Sequence, residues 1–440
     1  MRFSLWSYVL MAGSSLAQGD LAALLASQDD LSTLLELVSL VDGLAETLAS
    51  ASNITIMAPT NQAFANVPRD VPEGQAIELR NDTIAVAALL ANHVFKGVYP
   101  SNVITDIPTF AQTLLDDSYI SAVQPFSNFT GGAYNGLVKN GGDVCVLSGE
   151  LTVSTVTQAD IKLGEGITIH EVDTVLSFGA PFQLFTFRSG YLAMNAALEA
   201  AHLNFAFGET GDGVQGLNIS DFTIFVPTDA AFESIGSVLA SADVKTLQEV
   251  LSYHIIPNNV IFSPSLGNVT VLSLQGANLT FTVLLDGSAW VNNATITFPN
   301  TILYNGVAHV IDSVLSPGGF DRASLTPSAP AAERLAFPGA SPVSSLPLLK
   351  RLLCNRPHGL HDDAEVAPDC CCRGNCDSQC HRYHLSLLLL EPASCCPNQL
   401  RQWIAPRRPP RTFCCNGYRC IPCLELQGLV GNASTTGAGN

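Results

Sequence analysis

Side chains able to do chemistry are sparse in this chain, and their spacing decides what they can do. His309 and Asp312 stand three apart on what reads as a strand, so their side chains face opposite ways and do not form an acid–base dyad. They read instead as one core histidine and one carboxylate that satisfies backbone groups, since buried polar groups are normally paired. His93 and His254 close helical runs, as Asn92-His93-Val94-Phe95 and Leu251-Ser252-Tyr253-His254, and read as helix-end residues. No Gly-x-Ser-x-Gly elbow, His-Glu-x-x-His zinc helix, phosphate loop or dinucleotide fingerprint occurs. Only 13% of residues are charged, and residues 1–317 lack the clustered acid pairs of glycosidase chemistry. Cys420-x-x-Cys423 is a single metal-type pair without its partner pair. No catalytic, cofactor-binding or metal-ligating residue is therefore assigned, and no cofactor is expected. The alternative is a hydrolase or metal enzyme using His170, His309 or the cysteines, which requires a second titratable group within hydrogen-bond reach in a cleft.

The elements that carry these histidines are built around a stretch that occurs twice, as Thr55–Phe64 and Thr223–Phe232. Each copy opens with an apolar, β-branched run that suits a short buried strand. Pro59 or Pro227 ends it, Thr60 or Thr228 serves as an N-cap, and Phe64 or Phe232 folds back as a hydrophobic staple. Leucine spacing over residues 20–50 predicts two amphipathic helices broken near Gln28-Asp29-Asp30, and a third helix spans 82–95. Strand runs separated by Gly and Asn follow, notably within 151–176. The second unit keeps this order, with helices at 190–203 and 243–254, then strands at 269–274, 279–285, 295–298 and 302–304. Asp286-Gly287 and Asn305-Gly306 signal hairpins. Each unit closes alike, as Ile167–Ser177 and Gly306–Ser316. The first unit is longer, and the Gly/Asn-rich stretch around 125–142 is its expected insertion.

Composition sets the remaining bounds. A net charge of −18 argues against nucleic acid and anionic membrane as partners. Residues 1–317 hold 8 Lys+Arg against 29 Asp+Glu, and Cys145 as their single cysteine, so no internal disulfide can form there. Residues 1–17 have the layout of a secretory signal, with Arg2, an apolar run and a small-x-small end at Ala17. Its removal leaves no expected membrane insertion. Asn53, Asn81, Asn128, Asn218, Asn268, Asn278 and Asn293 each open an N-glycosylation sequon. Residues 318–346 are Pro/Ala/Ser-rich and read as a solvated linker or stalk. Twelve cysteines lie between Cys354 and Cys423, and residues 347–440 read as a largely irregular tail. Three readings of that tail stand side by side: a disulfide-stapled module, a metal site, or sequence out of its natural frame.

The two boxes, Tyr253-His254 and the closing segment Asn305–Pro317 resemble the fasciclin-like domain family. The first unit departs from the pattern at Asn92, in place of tyrosine, and at Phe178, where the second unit has Pro317. The resemblance covers roughly residues 18–317 and implies an α+β protein with two tandem wedges (18–180 and 181–317). Each wedge would be an antiparallel β-sandwich with a helical cluster. It implies a non-catalytic secreted or cell-surface glycoprotein of adhesion, matrix or cell-wall organisation, with the vacuole as an alternative location. The partners implied are surface or matrix proteins or polysaccharides, with weak self-association, and Tyr253 and His254 are the implied contact residues. A carbohydrate-binding module is a further alternative, which a row of exposed aromatics would favour.

Overall fold

Both copies of the box form a strand that runs directly into a capped helix. Ile54–Pro59 (β1) and Phe222–Pro227 (β8) are buried at every position, and Asn61–Asn66 (α4) and Asp229–Ser234 (α9) follow at once. The Thr60 and Thr228 hydroxyls accept the N–H of Ala63 and Ala231, each at 3.2 Å. Phe64 and Phe232 lie buried beneath them. Burial on both faces explains why each box reads as an unbroken apolar run and not as an alternation. In β8, Phe222, Ile224 and Val226 pack among helices, whereas Phe225 joins Tyr253, Phe281 and Val291 on the opposite face. In β1, Ile54, Ile56 and Ala58 meet helices, and Met57 joins Phe95, Leu137 and Val146. The computed structural model describes residues 21–120, 126–203, 219–343, 413–416 and 419–422.

The first sheet adds Val94–Lys96 (β2), Thr109–Gln112 (β3), Tyr134–Asn140 (β4), Asp143–Leu147 (β5), Val153–Leu163 (β6) and Ile167–Val172 (β7), ordered β2-β1-β7-β6-β5-β4-β3. The second adds Ile255–Ile256 (β9), Thr270–Leu272 (β10), Asn278–Val283 (β11), Ala289–Val291 (β12), Ala294–Ile302 (β13) and Gly306–Ile311 (β14). Its order is β10-β11-β12-β13-β14-β8-β9. Neighbouring strands are antiparallel except that β1 runs parallel to β7 and β8 to β14. The purely antiparallel expectation is corrected at that pair, for which the rest of each domain supplies the crossover. The long strands β6 and β13 are bulged near Asp160 and Asn300, whose φ values are +63° and +66°. Such bulges bend a strand, here around the second apolar cluster. Pro299 and Asn300 lie at the bulge of β13, which is why its sequence reads as two short runs.

Helices Leu21–Ala26 (α1), Ser32–Ser39 (α2), Leu44–Ser50 (α3), Pro72–Glu78 (α5) and Thr83–Asn92 (α6) belong to the first domain. Phe182–Arg188 (α7), Leu192–Ala200 (α8), Gly236–Ser241 (α10) and Val244–Tyr253 (α11) belong to the second. The break near Asp29 is present, and Gly43, at φ +74°, adds another, so residues 20–50 hold three helices where two were expected.

The two domains share an interface. Phe110 on the edge strand β3 stacks on Phe262, with ring centroids 3.9 Å apart and planes 3° from parallel. The stretch expected as the insertion supplies polar clasps: the Asn128 N–H donates to the Tyr304 carbonyl at 2.9 Å, and the Thr130 N–H to Asp221 at 3.0 Å. Ala180 and Leu303 form a β-bridge beside Gly179, where an added Cβ would sit 2.2 Å from the Leu303 carbonyl oxygen.

Residues 318–343 depart from the expected solvated linker. Leu335, Phe337, Ala340 and Val343 pack against the helical core of the second domain. The Val343 N–H donates to the Glu233 carbonyl at 3.0 Å, and Val343 fills the space that a side chain at Gly236 would need. A few well-placed apolar side chains and Arg334 suffice to hold a strap down, although the composition between them is that of a linker. In the separate unit Leu390–Asn440, Phe413–Asn416 and Arg419–Pro422 form an antiparallel hairpin. The signal region 1–17, Asn218 and most of the cysteine-rich tail lie outside the described residues.

Candidate functional site

Four of the five domain histidines form two matched pairs of backbone clips, and the fifth, His202, is exposed just past the end of α8. At the end of α6, His93 Nδ1 faces the Leu89 carbonyl at 2.8 Å and Nε2 accepts the Leu176 N–H at 2.9 Å. At the end of α11, His254 repeats this with the Val250 carbonyl at 2.8 Å and the Leu315 N–H at 2.9 Å. Because a backbone N–H can only donate, Nε2 must be the acceptor and Nδ1 must carry the proton. His170 and His309 have the opposite tautomer. Their Nε2 atoms donate to the carbonyls of Tyr99 (2.9 Å) and Ile261 (2.8 Å), and their Nδ1 atoms accept the N–H of Asp160 and Asn300, both at 3.2 Å. Each clip therefore joins a closing segment or bulge to a distant part of its domain, and each is neutral by construction. Burial lowers the pKa of His93, His254 and His309 to about 4, and lowers that of His170.

Asp312 does not meet His309. Its Oδ1 accepts the Thr295 N–H at 2.9 Å and its Oδ2 pairs with Arg334 Nη2 at 2.7 Å. Asp173, at the corresponding place in the first domain, accepts the Thr155 N–H at 2.8 Å. The backbone-satisfying role expected for Asp312 is thus seen, with an ion pair that sequence spacing does not reveal.

Tyr253 and His254, the expected partner contacts, are fully buried. The Tyr253 hydroxyl donates to the Asn278 carbonyl at 2.6 Å and accepts from Asn292 Nδ2 at 2.8 Å. Neither side chain is offered to a partner in this structure, because the ring fills the cluster beneath β8 and the imidazole holds the chain exit. Asn92, which stands in the tyrosine's place in the first domain, sends Nδ2 to the Ser177 carbonyl at 3.2 Å. Asn61 and Asp229, beside the capping threonines, each cap a second helix as well, through the N–H of Thr33 (2.8 Å) and Ala193 (2.9 Å).

A cavity of about 240 Å³ in the first domain is lined by Glu73, Glu150, Asp173, Thr152 and Ser177 among apolar residues. Glu73 is buried and accepts the Phe178 N–H, and its burial raises its pKa to about 7. Glu150 is paired with Arg188 at 2.7 Å, and Asp173 is engaged with Thr155 and Thr174. Sequence reading missed Glu73; a glutamate directly after Pro72 at a helix start is an ordinary first-turn residue, and nothing local marks it as buried. Among the described residues, no group of three or more His, Cys, Asp or Glu side chains is arranged to hold a metal ion.

The family model of the fasciclin domain matches residues 29–178 and 189–317, together more than half of the chain. The chain is 28% identical over 306 residues to a fasciclin-like arabinogalactan protein of Arthroderma benhamiae, covering 69% of this chain and 67% of that one. It is 29% identical over 301 residues to fasciclin-like arabinogalactan protein CTB11 of Cercospora beticola, covering 67% and 75%. It is 28% identical over 315 residues to fasciclin-like arabinogalactan protein elcF of Phaeosphaeria nodorum, covering 70% and 92%. A solved FAS1 domain pair from the insect cell adhesion molecule fasciclin I aligns over 65% of this chain and 97% of its own, at 18% identity and a TM-score of 0.28. With two copies of the matched domain in tandem, each built on the box, the histidine clips and the parallel closing strand, this chain belongs to the fasciclin domain family.

Proposed function

We propose that this chain is a secreted, N-glycosylated, non-catalytic protein that organises a cell surface or cell wall by binding matrix proteins or polysaccharides through its outer faces. The observation that carries this reading is the use of the histidines. Four of the five domain histidines are neutral, buried and engaged on both ring nitrogens by backbone groups, so they serve as fold clips, and the fifth, His202, is an exposed residue at a helix end. Relatives named as fasciclin-like arabinogalactan proteins support the wall or surface setting. Among the described residues, no helix is long and apolar enough to cross a membrane. Of the sequon asparagines, Asn53, Asn81, Asn268 and Asn278 are exposed, as glycan addition requires. The carbohydrate-module alternative gains no support from Trp290, which is buried beneath Arg334 and offers no ring face for a sugar.

The test is to treat the natural protein with an N-glycosidase, sequence its N-terminus and probe the full chain on a glycan and matrix-protein array. A mobility shift, an N-terminus beyond Ala17 and saturable binding to a surface component are expected. An intact Met1 with no shift overturns secretion; turnover of a model ester or glycoside that is lost on Glu73→Gln overturns the non-catalytic reading. Staining of a vacuole and not the surface would relocate the protein while leaving its binding role.

A further inference from the structure

Arg334 engages three polar groups of one sequon. The sequon is Asn293-Ala294-Thr295, at the turn between β12 and β13. Asn293 Nδ2 donates to the Arg334 carbonyl, and Arg334 Nη1 donates back to the Asn293 carbonyl. Arg334 Nη2 lies 3.5 Å from the Thr295 hydroxyl and 2.7 Å from Asp312 Oδ2, and the guanidinium sits 4.6 Å above the Trp290 ring. The Arg334 side chain is only 7% exposed in this position. Its Nε donates to the Ala329 carbonyl at 2.8 Å, which fixes the strap's own turn around it.

N-glycosylation replaces a hydrogen on Asn Nδ2 with a bulky sugar. The Asn293 amide nitrogen already gives one hydrogen to the strap's backbone and lies against the Arg334 side chain that covers the sequon, so a sugar in place of its other hydrogen is crowded by the docked strap. We propose that a glycan on Asn293 and the docked strap exclude each other, making this sequon a modification site that controls whether residues 318–343 stay down. With Asn293 bare, the strap covers Trp290 and the apolar surface beside α9 and α10. With Asn293 glycosylated, Arg334 leaves Asp312, and Leu335, Phe337 and Val343 lose their anchor and uncover that surface. The inference rests on the secretion reading, and the exposed sequons provide its internal control.

The test uses the full chain secreted from a eukaryotic host, with site-resolved glycopeptide mass spectrometry and limited trypsin digestion after Arg334. Thr295→Ala removes the sequon and keeps the asparagine. Arg334→Ala and, separately, Phe337→Ser remove strap anchors and leave the sequon itself intact. If native Asn293 carries a glycan, those molecules should be cut after Arg334 roughly tenfold or more faster than Thr295→Ala, since cleavage follows the population of the open form. If native Asn293 is bare, the strap should resist trypsin, and a loosened-strap variant should acquire the glycan. A glycan at Asn293 with no faster cleavage overturns the proposal. So does an Asn293 that stays bare in both strap variants while Asn53, Asn81, Asn268 and Asn278 are occupied. Absence of glycan at every sequon overturns the secretion reading and this inference with it.

Discussion

Mild acid should loosen the second domain more than the first. His254 and His309 have folded-state pKa values of about 4 against an ordinary value of 6.5. As the pH falls below 6.5 the unfolded chain binds protons that the native clips refuse, so stability is lost with falling pH. By pH 5 each clip costs about 2 kcal/mol, or about 4 kcal/mol for the second domain. The first domain suffers the same loss at His93, and a further loss at His170, whose pKa is also lowered. It also holds Glu73, whose folded pKa of about 7 lies above its ordinary 4.5. The native carboxyl takes up its proton before the unfolded one does, so stability is gained as the pH falls from 7 towards 4.5, by about 2 kcal/mol at pH 5. That gain offsets His93. Stopping at pH 5 keeps the comparison above the range where ordinary carboxylates protonate. The assay is amide hydrogen exchange on the full chain at pH 7 and pH 5, corrected for intrinsic rates. Protection in β8, β13 and β14 should fall by about two to three orders of magnitude, and that in β1, β6 and β7 by less, since Glu73 offsets His93 and leaves the loss at His170. Glu73→Gln should remove the asymmetry. Equal losses in the two domains, or none in either, would refute the assignment of the clips as obligatorily neutral.

Phe232→Ala opens a cavity under the box and should cost ~3–5 kcal/mol in a denaturant melt, because the ring is fully enclosed where α9 leaves β8. Arg334→Ala leaves Asp312 partly buried without its cation and should lower the stability of the second domain by about 2–3 kcal/mol, read as a shift in its exchange protection. Phe110→Ala removes the stacked ring between the domains, leaving the Tyr134 ring beside Phe262, the Arg188–Glu150 pair and the polar clasps, and should separate a single calorimetric transition into two. Reductant should leave both domain transitions where they are, as Cys145 is their single cysteine and is free.

What could be read in the sequence follows from who the partners are. The boxes were legible because a strand buried on both faces needs an unbroken apolar run, and because Pro59, Thr60, Pro227 and Thr228 act on their own neighbours. Of the histidine clips, His309 is legible as a core residue and His93 and His254 as helix-end residues, but not what they hold. Their partners are carbonyls and N–H groups of Leu89, Leu176, Val250 and Leu315, and no side-chain type marks a backbone group as a ligand. The partners of Tyr253 are hidden for the same reason: its hydroxyl is satisfied by the Asn278 carbonyl and the Asn292 amide, far away in sequence. The strap was missed because composition averages over its length, whereas its attachment rests on a few residues such as Arg334 and Phe337. The closing strand was found by repetition, yet its direction relative to the box was not. Repetition shows that two segments correspond, and says nothing of which way one runs beside the other.

The parallel pairing of the box with the closing strand has a mechanical consequence. In each domain the chain arrives at one end of the pair and departs from the opposite end, with six residues in register between them: Ile54 to Pro59 against Ile167 to Val172, and Phe222 to Pro227 against Gly306 to Ile311. Tension applied along the chain, once the leading helices have peeled away, pulls these two strands past each other along their length. The slanted bonds of the parallel ladder are then loaded together, whereas an antiparallel hairpin pulled at its open end would unzip rung by rung. Forced unfolding is governed by the height of the first barrier, and sharing the load across the whole ladder raises it. A tether strung between a wall and its surroundings would hold at rest and under pull alike, because the strand that begins each domain is gripped by the strand that ends it.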